Sequence, residues 1–349
     1  MIKTIRTQSQ QLATPLFEKP KELVAWMGAI QAQDYNMSKW AIGVRLQGAK
    51  LSDIENALSK GEILRTHVMR PTWHLVAAED IRWMLQLSKE RIKSSSKSRD
   101  ADLGITEKIF SRVLDIIGKI LAGNNHLTRQ EIALKLNEYG IKTDCALMIH
   151  YMQRAEVEGL VCSGIDKGTK QTYALIDERA LPTAQPTKEE ALAKLATNYF
   201  QSHSPASLQD FAWWSGLSVA DCKYAVNLIT KDIDTDKFST FGGLITHNLY
   251  KSETKNISQI HFLPTFDEYL ISYKDRTHVI DLQHQPKAFT KNGTFYPIVM
   301  CDGKIVGAWS KIVKKGRVEV NPIFFENDFK PNKTQLEQAK NRYIEFVLQ

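Results

Sequence analysis

Residues 127–176 read LTRQEIALKLNEYGIKTDCALMIHYMQRAEVEGLVCSGIDKGTKQTYALI. Leu127-Thr128-Arg129-Gln130-Glu131 offers an N-cap Thr with Glu three residues on, a reciprocal capping pattern. Ile132, Leu134 and Leu136 follow, and Tyr139-Gly140 supplies a stop. Thr143 and Asp144 are N-cap candidates for a second helix carrying Leu147, Ile149, His150, Met152, Ala155 and Val157, which stops at Glu158-Gly159. Residues 160–163, a polar loop over 164–170 and residues 171–176 read as a hairpin. Helix, turn, helix, hairpin is the winged-helix plan; other small α+β scaffolds share parts of it.

The plan repeats on either side. Residues 188–200 form a helix with Ala191, Leu192, Leu195 and Ala196 on one face. Ser207-Leu208-Gln209-Asp210 begins another, Ser218 a third, and residues 237–250 alternate around Gly242-Gly243. Toward the N-terminus, 21–30 and 52–59 read as helices, and 63–76 as a hairpin around Arg70-Pro71. Longer helices over 78–94 and 106–122 join the first unit to the second. Beyond residue 254, strand patterns dominate at 259–262, 295–301, 304–309 and 316–320, before an amphipathic helix at 334–348. The expected architecture is α+β. Three tandem winged-helix units occupy 1–104, 105–182 and 187–253, and a small C-terminal antiparallel β-barrel with a closing helix occupies 254–349.

Composition narrows the function classes. The 349 residues are 43% hydrophobic and 24% charged, which excludes a fibrous or disordered chain. No apolar run approaches the ~20 residues that span a bilayer, and residues 1–10 lack the apolar core of a secretory signal. A cytoplasmic protein without membrane contact is expected. Cys145, Cys162, Cys222 and Cys301 are far apart with no C-x-x-C pair, which argues for free thiols and against a cysteine zinc site. A net charge of +7 is compatible with a polyanionic partner.

Gln31-Ala32-Gln33-Asp34 follows the apolar stripe of Leu23, Trp26, Met27 and Ile30. On a continuous helix the two Gln would lie ~200° apart and Asp34 would fall inside the stripe, where an unpaired carboxylate is costly. An extended chain instead points residues i and i+2 the same way. Two carboxamides then converge on one spot, where their carbonyl oxygens can hold a water or stabilise positive charge. From spacing alone, two ordinary polar residues at a helix end are the better reading.

Taken with later segments, the motif resembles the AlkZ/YcaQ family of winged-helix DNA glycosylases, whose signature is Gln, an apolar residue, then Gln or Asp. Arg70-Pro71-Thr72-Trp73-His74-Leu75, Phe266-Asp267-Glu268-Tyr269-Leu270 and residues 293–309 are also similar to that family, so the resemblance covers most of the chain. It implies a monofunctional DNA glycosylase that excises bulky or cationic alkylated purines of the 7-alkylguanine type, and the unhooking of interstrand crosslinks. It implies double-stranded DNA carrying alkylated bases as partner, no cofactor, no metal and a monomer. The catalytic residues implied are Gln31 and Gln33. They would stabilise an oxocarbenium-like sugar and direct a water at it, with no need for a general acid because the base leaves from a cationic state. Asp34 would orient either Gln, act as a base, or serve as a loop carboxylate. His74 would contact phosphate, line the cleft, or pack in the wing. Asp267 and Glu268, read as adjacent strand residues, face opposite sides and fix the barrel against the winged helices.

The DNA-binding candidates are basic. Lys304, Lys311, Lys314, Lys315 and Arg317 occur with no acidic residue between them, and 314–317 would form a hairpin tip that contacts phosphates. The alternative for that tip is a solvated edge with protective lysines. Arg70, Lys274 and Arg276 are further phosphate candidates. Residues 88–99 carry Lys89, Arg91, Lys93, Lys97 and Arg99 and, with Ser94-Ser95-Ser96, read as a mobile basic helix end. The helix over 144–159 carries Glu156 and Glu158, a poor major-groove reader, which argues against a sequence-specific repressor.

Overall fold

The computed structural model describes residues 1–232, 237–250, 259–314 and 316–349. Its contacts divide the chain into two compact units, Asn56–Ala191 and the combination of Met1–Glu55 with Leu192–Gln349. The division does not fall at 104, 182 or 253. The first and last parts of the chain share one core.

The Asn56–Ala191 unit holds helices Ile81–Asp102, Glu107–Leu121, Arg129–Glu138 and Cys145–Val157. Thr128 and Glu131 make the expected reciprocal cap, and Asp144 caps Cys145–Val157 by accepting from the Leu147 N–H at 2.9 Å. Strands Leu127–Thr128, Thr172–Leu175 and Val161–Ser163 pair in that order, all antiparallel. The element order over 107–175 is therefore helix, strand, helix, helix, hairpin. Its core joins Phe110, Val113, Ile117, Ile132, Leu136, Leu147, Tyr151 and Val161. A second antiparallel hairpin pairs Ile63–Val68 with Thr72–Ala77.

One expectation in this unit is corrected. Residues 94–99 are not a frayed end, because the helix continues to Asp102. It is stitched to Cys145–Val157 by Ser96 Oγ donating to Gln153 Oε1 at 3.1 Å and by Asp100 against His150 Nδ1 at 2.5 Å. Glu156 and Glu158 are paired within this unit. Glu156 is buried against His67 Nδ1 and accepts from Trp73 Nε1 at 3.3 Å. Glu158 receives Lys89, Lys93 at 3.1 Å and Arg154 at 2.9 Å.

In the other unit, helices Ile2–Ser9, Pro20–Met27 and Tyr35–Gly43 precede Leu208–Ser215, Val219–Asn227 and the hairpin Phe238–Phe241 with Leu244–His247. Strands Ile260–Leu263, Ile298–Cys301, Lys304–Lys314 and Arg317–Phe324 then form an antiparallel sheet in sequence order. The expected β-barrel is corrected to this open sheet: among the described residues, Ile260–Leu263 and Arg317–Phe324 remain its two edges. Helix Lys333–Leu348 packs against both edge strands in place of strand-to-strand closure. No helix among the described residues is long and apolar enough to cross a membrane.

Aromatic packing locks this unit. Trp40 Nε1 donates to Phe262 O at 2.6 Å and Trp309 Nε1 to Leu263 O at 2.7 Å, while both rings meet Tyr343, at 5.1 and 4.9 Å between centroids. Helix Tyr35–Gly43 is thereby fixed to the sheet and to the C-terminal helix. Gly43 makes the approach possible, because a Cβ there would collide with the Phe346 ring. Gly43→Ala should therefore destabilise the protein by ~1–3 kcal/mol, an overpacking cost. Denaturant unfolding monitored by tryptophan fluorescence would read this, and a stability within error of wild type would refute the close packing.

Candidate active site

The path of the chain at the Gln motif is set by backbone chemistry. Helix Pro20–Met27 stops because Gly28 takes φ of +76°, a conformation that side-chain-bearing residues resist. Asn198 packs there too, 3.2 Å from where a Cβ on Gly28 would sit. Ile30–Gln31 are then extended, as the broken apolar periodicity predicts. Asp34 reverses the chain into the next helix. Its Oδ1 accepts from the Met37 N–H at 3.1 Å and its Oδ2 from Thr265 Oγ1 at 3.1 Å. Asp34 is therefore the N-cap of helix Tyr35–Gly43. Of the two carboxamide residues, Gln31 is buried at 4% exposure and Gln33 is exposed.

Asp267 and Glu268 do not lie in a strand. Asp267 caps the single helical turn Glu268–Ile271, accepting from the Tyr269 N–H at 2.9 Å. Phe266, just before it, has φ of +55°, a strained conformation for a bulky residue that persists only where its surroundings enforce it. The enforcement is visible. Arg45 grips Asp267 through two hydrogen bonds of 2.9 and 2.8 Å, and neither side chain is exposed. Arg45 also donates to Gln10 Oε1 at 2.9 Å, and Gln10 Nε2 donates to Glu268 O at 3.3 Å and to Tyr273 Oη at 3.2 Å.

Glu268 carries this network to the motif. Its Oε1 accepts the Gln31 backbone N–H at 2.6 Å. Its Oε2 accepts from Trp214 Nε1 at 3.1 Å and from Ser272 Oγ, and lies 3.6 Å from His203 Nε2. Burial lowers the pKa of His203, against the pull of Glu268, so the ring is a neutral imidazole at neutral pH. It stacks on Tyr199 at 4.7 Å, and Ser202 Oγ is 2.8 Å from its Nδ1. Gln10, His203, Trp214 and the contact of Glu268 with Gln31 escaped the sequence reading. Asp267-Glu268 had one usable signal, since Asp followed by Glu is a good helix start.

The remaining candidates fall in several places. Lys311 is half-buried, with Nζ against Met37 Sδ and 5.5 Å from the Tyr343 ring centre; burial lowers its pKa, against the field of Asp34. Lys274 is exposed, whereas Arg276 donates to Leu270 O at 2.8 Å and lies over the rings of Trp213, Phe289 and Phe295. Lys314 and Arg317 are exposed and face each other at the hairpin end, with Arg317 2.9 Å from Glu319; Lys315 lies outside the described residues. Arg70 and His74 belong to the Asn56–Ala191 unit. Arg70 is half-buried in a hairpin turn, and His74 is fully buried with Nδ1 3.0 Å from Thr72 O. Among the described residues, Asp281, His284 and Glu326 bring one potential ligand atom each within 4.8 Å. Lys304 already neutralises Asp281 there, at 2.8 Å.

The model of the DNA glycosylase AlkZ-like family matches residues 24–346, and the chain belongs to that family. An interstrand DNA cross-link repair glycosylase of Streptomyces sahachiroi is 21% identical over 324 residues, covering 87% of this chain and 85% of that protein. The solved structure of the Streptomyces sahachiroi DNA glycosylase AlkZ has the same fold. It matches with a TM-score of 0.79 at 18% identity, covering 99% of this chain and 95% of that one.

The Arg45–Asp267 pair should be essential to this arrangement. Asp267→Asn leaves the Arg45 charge buried without its counter-ion and should cost ~3–5 kcal/mol. Urea unfolding of the variant would measure the loss. A cost under ~1 kcal/mol, within the range of an exposed pair, would show that the site does not depend on it.

Proposed function

We propose that this protein is a monofunctional DNA glycosylase that hydrolyses the N-glycosidic bond of cationic alkylpurines, of the 7-alkylguanine type, in double-stranded DNA. The observation that carries the reading is the extended Gln31 strand, held on the buried Glu268 carboxylate and followed at once by an exposed Gln33. The substrate base already bears positive charge, so the bond from the anomeric carbon to N9 breaks with its electron pair going to the base. The carboxamide oxygens of Gln31 and Gln33 stabilise the oxocarbenium-like sugar that remains and orient a water. That water bonds to the anomeric carbon and its proton passes to solvent. Asp34 acts through the backbone as a cap, without taking a proton. The same reaction at one strand of a linked duplex would unhook an interstrand crosslink, because the linked base then stays attached to the other strand alone.

In this reading 1–104, 105–182 and 187–253 act as three winged-helix modules, and 107–175 has the full element order for one. The protein works as a cytoplasmic bacterial monomer without metal or cofactor. Arg70, Lys274, Lys311, Lys314, Lys315 and Arg317 contact phosphates, and His74 supports its hairpin. Arg276, gripped by three rings, contributes through packing.

Gln31→Ala and Gln33→Ala should each slow single-turnover release of 7-methylguanine by ~100–1000-fold, the usual cost of losing one preorganised polar group. Duplex affinity should stay within about twofold, because the interaction forms in the transition state. Wild-type rates in both variants would exclude the site. No excision by the wild type would leave a non-catalytic DNA-binding protein. Borohydride should trap no enzyme–DNA adduct; a trapped adduct lost in Lys311→Ala would overturn the monofunctional reading.

Reversing the charge of Lys314, Lys315 and Arg317 to Glu should weaken duplex binding and flatten its salt dependence, because fewer counterions are released. An unchanged salt slope would remove the hairpin tip from the DNA footprint.

A further inference from the structure

We propose that Glu268 is a positioning residue, which fixes the Gln31 carboxamide by holding the Gln31 backbone N–H. The inference rests on the reading of Gln31 as a residue that acts on the sugar. The two residues are 237 positions apart, yet the contact is 2.6 Å and buried on both sides. Glu268 is well suited to orient rather than react. Trp214 Nε1 and Ser272 Oγ hold its second oxygen, and its first oxygen is turned to Gln31. Its own backbone is pinned as well, by Gln10 at Glu268 O and by the grip of Arg45 on the neighbouring Asp267.

The motif needs such an anchor. Between the end of one helix at Gly28 and the cap of the next at Asp34 lie only five residues, of which Ile30–Gln31 are extended. A segment this short cannot build the repeating hydrogen-bond ladder by which a helix sets the direction of its side chains. A carboxylate accepting from its backbone sets the rotation of the Gln31 peptide, and with it the point from which the carboxamide departs. A reacting group misplaced by 1 Å commonly loses ~100-fold in rate, and support from a second layer of residues is what prevents that drift.

The test is a double-mutant cycle on duplex DNA carrying 7-methylguanine, comparing wild type, Gln31→Ala, Glu268→Gln and the double variant. Single-turnover rate, duplex affinity and melting temperature are read for each. Glu268→Gln should slow excision ~10–100-fold with affinity within about twofold. In the Gln31→Ala background the same change should cost less than about threefold, because its effect passes through a side chain no longer there. Equal losses in both backgrounds, or no loss in either, would overturn the positioning role while leaving the catalytic reading intact. A wild-type rate for Gln31→Ala would instead remove the catalytic reading, and the positioning role with it. Should Glu268→Gln not fold, Ser272→Ala and Trp214→Phe each remove one donor that orients the carboxylate while keeping its charge. Each should then slow excision with the same dependence on Gln31, and unchanged rates in both would overturn the proposal.

Discussion

The buried pair between Arg45 and Asp267 organises the unit that carries the motif. Two charges withdrawn from water cost several kcal/mol each, and their mutual attraction offsets that cost only when the geometry is good and further hydrogen bonds exist. Both conditions hold: the pair is doubly bonded, Arg45 also reaches Ala41 O at 2.9 Å and Gln10, and Asp267 also caps a helical turn. Such a pair adds little net stability over an apolar contact of similar volume, but it tolerates one register only. It holds Phe266 in its strained backbone and sets where Glu268 stands.

A second consequence is the separation of roles among acidic groups. Asp34 satisfies a helix N-terminus, Asp267 a buried guanidinium, and Glu268 a backbone N–H with an indole and a hydroxyl. Asp210 serves similarly at the start of Leu208–Ser215, accepting from Ser207 and from the Lys274 and Asp275 N–H groups. Each carboxylate is held by hydrogen-bond donors of its own. At the motif the neutral carboxamide of Gln33 is exposed, which suits the proposed reaction, in which the substrate brings its own positive charge.

In the Asn56–Ala191 unit the same economy of charge gives a different result. Glu156 is buried against His67, and Glu158 neutralises Lys89, Lys93 and Arg154 internally, so the basic helix Ile81–Asp102 is partly discharged by its neighbour. Charge counted along a sequence overstates the field that reaches solvent when opposite charges meet across helices.

Local signals carried much of the fold. The reciprocal cap at Thr128 and Glu131, the Asp144 cap, the left-handed Gly140 and Gly159, and the hairpin over 161–175 follow from interactions within a few residues, so the sequence alone determined them. The break in apolar periodicity at Asp34 likewise foretold that the chain extends at Gln31. Only the tertiary structure decided that Asp267 and Glu268 belong to a helical turn, that the C-terminal strands stay open, and that a carboxylate 237 residues away holds Gln31. Those outcomes depend on which buried donor meets which buried acceptor across the core. A buried polar group finds its partner by proximity in space, and no local spacing encodes that proximity.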